Sequence, residues 1–235
     1  MRLKLQSAVL CLAIALSACS GSDNTSGDSS DATAKTSRAA DATKAEGATV
    51  AASTLADGPD VCFRAIAKHL GADTKVSEIT SFFSVGSEID SNNTKPAGEM
   101  TNCTVKYQSP DDPRKLVSTG LDIRSGKFDA PKPIEIRVTG GNAAEFKLDD
   151  YLIPLSKINA AALASVMEAQ KARLNGVYSR YAWSGVRLSP PDPFSDTHTL
   201  RLDVEGRLAS NDIKENGYAS VSTDGKKITS DHLTP

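Results

Sequence analysis

Two stretches of helical period, each followed by a run of strand-like segments, constrain this chain more than any other feature. In the first, Phe63, Ile66, Ala67 and Leu70 recur on one face of a 3.6-residue period, with Asp60 placed to cap the helix and Gly71 to end it. Segments 79–85, 102–107, 116–123 and 134–138 then read as strands. Cys103, Val105 and Tyr107 alternate with polar neighbours, as do Ile134, Ile136 and Val138. A second helix is predicted from Ser156, as its cap, to Leu174, with Leu163, Val166, Met167, Gln170 and Leu174 on one face and Asn175-Gly176 as its end. Strand candidates at 177–188, 199–204, 218–222 and 226–228 follow. Ser189-Pro190-Pro191-Asp192-Pro193 cannot be a strand interior, and Thr223-Asp224-Gly225 is a strong hairpin turn.

This order predicts an α+β fold with two helices packed on an antiparallel sheet. It fits either two tandem α+β modules, 58–150 and 151–235, or one long sheet carrying both helices on one face. The best match between the halves, Phe82-Phe83-Ser84 against Tyr181-Ala182-Trp183-Ser184, is weak, so the repeat rests on element order alone. That order is similar to the order in tandem α+β inhibitor proteins secreted by bacteria, a likeness of fold that carries little about function.

The beginning of the chain has a different character. Arg2 and Lys4 precede a nearly uninterrupted apolar run from Ala8 to Leu16, too short to span a bilayer before Ser20-Gly21-Ser22-Asp23 follows. The tetrad Leu16-Ser17-Ala18-Cys19 resembles the lipobox of bacterial lipoproteins. The resemblance covers only the first 20 or so residues. It implies that residues 1–18 are a signal peptide and that Cys19 is acylated on sulfur and becomes the mature N-terminus. It also implies a membrane partner, and Ser20 in place of Asp points to the outer membrane. Two or three acyl chains, each buried methylene contributing roughly 0.8 kcal/mol, would hold the protein durably.

Beyond Cys19, the segment to Asp57 is made of Ser, Thr, Ala, Gly and Asp, with Lys35, Arg38 and Lys44 among the acids and no aromatic ring. Such a composition cannot bury enough apolar surface to offset its chain entropy, and it reads as a tether with an r.m.s. span of roughly 35 Å. The folded part is therefore expected from Gly58 to Pro235. With Arg2 and Lys4 removed, 25 basic face 29 acidic residues, a net charge of −4, and no basic stripe points to nucleic acid.

Of the four cysteines, Cys11 lies in the signal and Cys19 takes the lipid, so Cys62 and Cys103 are left to pair with each other in an oxidising compartment. Two thiols far apart, without Cys-x-x-Cys or clustered histidine, are poor metal ligands.

The chain has no Gly-x-Ser-x-Gly elbow, His-Glu-x-x-His or phosphate loop, and its three histidines, His69, His198 and His232, are dispersed. His69 suits the end of the first helix, where a cation favours the dipole. His198 has Asp196 two positions away, and the acid pairs Asp111-Asp112 and Asp149-Asp150 read as turn residues. No cofactor, metal or enzymatic activity is expected. An interaction signal remains. Tyr178, Tyr181, Trp183 and the Pro190 to Phe194 loop concentrate the scarce aromatics, with Arg180 and Arg187 among them. Tyr181 and Trp183 equally suit a core under the second helix. Arg180, Trp183, Arg187, Phe194 and the Asp224-Gly225 hairpin are the candidate binding residues for a protein partner in the periplasm. The expected function is a tethered protein-binding module, an inhibitor or immunity protein against an envelope-targeting enzyme or toxin. The alternatives are a structural or assembly lipoprotein and, last, an enzyme with dispersed carboxylates.

Overall fold

The computed structural model describes residues 53–138, 142–192 and 195–235. Two α-helices, α1 (Val61–Leu70) and α2 (Leu163–Val177), pack on one antiparallel sheet of ten strands. The first half contributes β1 (Lys75–Phe83), β2 (Met100–Gln108), β3 (Leu116–Asp122) and the short β4 (Lys127–Phe128) and β5 (Lys132–Ile134). The second contributes the two-residue β6 (Ile153–Pro154) ahead of its helix, then β7 (Tyr178–Ser189), β8 (Thr199–Leu208), β9 (Lys214–Ser222) and β10 (Ile228–His232). The strand order is β10-β9-β8-β7-β1-β2-β3-β4, with β5 on β3 and β6 on β1. Apart from β6, each half is thus a helix followed by a meander running outward from the centre, and the halves join where β1 pairs with β7 and, at its start, with β6. One long sheet with both helices on one face is the arrangement formed.

Register explains why one face is apolar. Ile79, Leu188, Leu200 and Val221 lie opposite one another across β1, β7, β8 and β9, and Ser81, Val186, Leu202 and Ala219 form the next row but one. Directly paired residues point to the same side of a sheet, so these rows make a continuous floor. Ile66 of α1 and Leu163 and Leu174 of α2, all fully buried, close the core above it. Cys62 on α1 and Cys103 on β2 are joined by a disulfide with a Cα–Cα distance of 5.6 Å, fastening the first helix to this floor. No helix among the described residues is long and apolar enough to cross a membrane.

Several boundaries differ from the sequence reading, each for a tertiary reason. Asp60 precedes α1 but its carboxylate takes the Arg64 guanidinium and makes no cap hydrogen bond. Helix α2 begins seven residues after Ser156. The Ser156 amide donates to the Ala72 carbonyl and the Asn159 amide to Thr223, which hold short 3-10 turns ahead of the helix. At its other end α2 runs through Asn175-Gly176 and passes directly into β7. The strand expected at 134–138 is only Lys132–Ile134. Its partner β3 starts at Leu116, opposite Ile134, so the ladder has nothing to offer residues 135–138. Strands β8 and β9 are longer than predicted. Gly140-Gly141, a glycine pair that the sequence marks as a turn, lies outside the described residues.

Candidate functional site

The face of the sheet opposite the helices is polar and largely open. Its residues alternate with the core floor along each strand, so two rows cross it side by side: Phe82, Gly185, Asp203 and Tyr218, then Thr80, Arg187, Arg201 and Ser220. A bulge in β7 between Trp183 and Gly185 puts a glycine at the centre of the first row. A Cβ on Gly185 would sit 2.8 Å from Asp203 Oδ2 and 3.1 Å from the Phe82 ring, so the absent side chain is what lets these two groups approach. The result is a shallow cleft of about 350 Å³ running from Glu205 and Asn216 to Arg187 and Arg201.

Three charged groups are locked together in this cleft. Arg187 donates Nε to Asp203 Oδ2 and Nη2 to Oδ1, both at 2.8 Å, and Arg201 donates Nε to the same Oδ1 at 2.8 Å. The Arg201 guanidinium carbon stands 3.7 Å from the centre of the Tyr218 ring, and that of Arg187 lies 5.7 Å from Phe82. Stacking on a ring and forked pairing to a carboxylate both hold a guanidinium plane in place. Both arginines are about a third exposed at the side chain. Beyond Glu205, a long β1–β2 loop is strapped to the same face: Arg180 donates to the Glu88 carbonyl, Arg207 to that of Ile89, and Lys214 bridges Asp90 and Glu205 at 2.9 Å each.

The residues singled out from sequence divide sharply. Arg187 lies at the heart of the cleft. Arg180 sits on the same face but is committed to the loop, pairing with Asp212 at 2.9 Å as well. Trp183 opposes Val204 on the core floor and is only 8% exposed, edge-on to Tyr181, so its ring belongs to the core. Asp224 accepts from Ser222 and Lys226 within its own turn, while Gly225 is buried against Asn159 and Ala162 at the start of α2. Phe194 and Cys19 lie outside the described residues. Phe82, Arg201, Asp203 and Tyr218 were missed as site residues. The signal that could have found them is Gly185 inside a strand pattern, a mark of a bulge or close approach.

The remaining candidates for chemistry take structural partners. His69 stacks on Phe128 with ring centres 4.3 Å apart. His198 faces the Tyr151 carbonyl at 3.2 Å in place of Asp196, and burial holds its imidazole below the ordinary range. Asp112 is clasped by Arg114 and Asp149 by Lys75. Among the described residues no group of three or more His, Cys, Asp or Glu is placed to hold a metal. Compared with protein families, curated proteins and solved structures, the chain matches none.

Proposed function

We propose that this chain is a lipid-anchored periplasmic module that binds another envelope protein, with the open face of its sheet as the docking surface. Acylated Cys19 is the anchor in this reading and residues 20–52 are the leash; the tether expected to run to Asp57 stops short, because Ser53 and Leu55 are already bonded to Met100 and Gly98 of the folded part. The task it fits is capture or inhibition of an envelope-targeting enzyme or toxin. The observation that carries the reading is the cluster of Phe82, Arg187, Arg201 and Tyr218 beside Gly185. Arginine and tyrosine dominate the energetics of protein interfaces, and side chains held rigid before binding lose little entropy when a partner arrives.

Photo-crosslinking in intact cells tests it. A photoreactive residue replacing Phe82 on the open face is expected to give an adduct of defined mass with one envelope protein. One replacing Lys171 on the exposed side of α2 is expected to give none. Adducts from both positions, or from neither, would overturn the docking surface. The anchor is tested separately by the mass of the native N-terminal peptide, which should carry a diacylglyceryl group on Cys19.

A further inference from the structure

We infer that the Arg187–Asp203–Arg201 cluster is a recognition site for a carboxylate group, presented by an acidic side chain or chain terminus of the partner. The inference rests on reading the open face as a docking surface and names the chemistry that face would recognise.

The cluster carries two cations and one anion, a surplus of one positive charge at one end of the cleft. Glu205, the other acid lining the cleft, is four residues from Arg201 along β8, about 13 Å away, and is already paired with Lys214. That separation exceeds the screening length of roughly 8 Å at physiological salt, so Glu205 does little to cancel the surplus. The donors are also unspent. Among the described residues Arg201 uses only Nε within the protein, and Arg187 uses Nε and Nη2. Both terminal nitrogens of Arg201 and Nη1 of Arg187 thus have no protein acceptor and stand in a side-chain environment about one-third exposed. Asp203 orients both guanidinium groups, and Tyr218 covers one face of Arg201, so the remaining donors point from fixed planes. A planar acceptor with two oxygens matches two coplanar N–H donors better than a lone halide does, and arginine forks favour carboxylate or phosphate for this reason. A single surplus charge favours the monoanion over the doubly charged phosphate. Asn216 and Ser184 line the same cleft and supply neutral polar contacts for the backbone around the carboxylate.

The experiment follows the Arg Nε–H and Tyr218 ring resonances of the full chain in detergent while propionate, a monocarboxylate, is added. In parallel titrations, inorganic phosphate and a capped Gly-Glu-Gly peptide, with its Gly-Gln-Gly counterpart, replace it. Propionate and the glutamate peptide should shift Arg201 and Tyr218 along one saturable curve, and the glutamine peptide should not. Arg201→Ala should weaken binding roughly tenfold or more, and Arg201→Lys, which keeps the charge and loses the fork, should recover only part of it. Thermal melts of both variants matching the parent would show that the loss is not unfolding. Equal shifts with the glutamine peptide, tighter binding of phosphate than of propionate, or an unchanged response in Arg201→Ala would overturn the carboxylate assignment. The two readings fail separately. A Phe82 adduct that persists in Arg201→Ala keeps the docking surface and discards the carboxylate. Propionate binding without any adduct keeps the site and discards the protein partner.

Discussion

Ser81 is the residue most at odds with its surroundings. It sits fully buried on the core floor, paired across the sheet with Cys103 and Val186, and its hydroxyl has no hydrogen-bond partner among the described residues. A buried polar group left unpaired costs about 1 to 3 kcal/mol. Ser81→Ala is therefore expected to raise stability by about 1 kcal/mol, read as a higher urea midpoint at unchanged slope. A lower midpoint would mean that packing of the hydroxyl outweighs its desolvation. His198 makes the opposite kind of statement. Burial depresses its imidazole pKa, with the Tyr151 carbonyl acting weakly the other way, so the folded chain binds a proton less readily than the unfolded one near pH 6.5. Stability is then complete above about pH 6.5 and is lost as the pH falls from there through the folded value. Between pH 7 and 5 the urea midpoint of His198→Gln should decline less steeply than that of the parent. Parallel declines would remove His198 from the account. Ser81 lies within an expected strand and His198 just ahead of another, yet the surroundings of neither were legible. Burial of Ser81 and the contact of His198 with Tyr151, 47 positions away, arise only once the strands are assembled.

At the level of elements, period predicted existence well and boundaries poorly. The helix and strand patterns of both halves were legible because apolar residues recur at 3.6 or 2.0 positions wherever one face is covered. What escaped were ends decided by distant backbone, such as the late start of α2, where the Asn159 amide is drawn to Thr223 in the β9–β10 hairpin. The same contact explains why Asp224-Gly225 is a joint within the protein. Gly225 has φ +72°, and a Cβ there would meet the Asn159 carbonyl at 2.5 Å and the Ala162 side chain at 2.7 Å. Gly225→Ala should therefore cost about 2 kcal/mol or more, combining left-handed backbone strain with displacement of α2 from the hairpin. Asp224→Ala, which removes turn hydrogen bonds from an exposed carboxylate, should cost less. Guanidinium denaturation of the two variants would decide. Similar losses would show that turn chemistry, and not docking on α2, sets the position. The candidate site was half legible for a related reason. Arg187 stood out by type, but Arg201, Asp203 and Tyr218 looked like the ordinary solvent side of strands until the bulge at Gly185 brought them around one hollow.

For the molecule as a whole, the decisive feature is the seam between the halves. Nothing in the separate patterns of 58–150 and 151–235 says whether two modules fold independently, and the element order is the same in either case. The pairing of β1 with β7 answers through its rows: Ile79 with Leu188 and Ser81 with Val186 continue the core floor without a break, and residues of α1 and α2 belong to one buried cluster. Such a sheet should lose its order as one unit. The protein carries an internal test, because the Cys62–Cys103 disulfide lies in the first half and the single tryptophan, Trp183, in the second. The disulfide closes a 41-residue separation, so its removal should cost about 4 kcal/mol in the chain-entropy view. In the Cys62→Ala, Cys103→Ala double variant, Trp183 fluorescence should report a denaturation midpoint lowered as far as the midpoint seen by far-ultraviolet circular dichroism, in a single transition. A Trp183 midpoint left where it was, with only part of the dichroism shifted, would mean that the seam transmits too little energy to couple the halves. The open face would then have to be treated as two surfaces, since Phe82 comes from one half and Arg187, Arg201 and Tyr218 from the other.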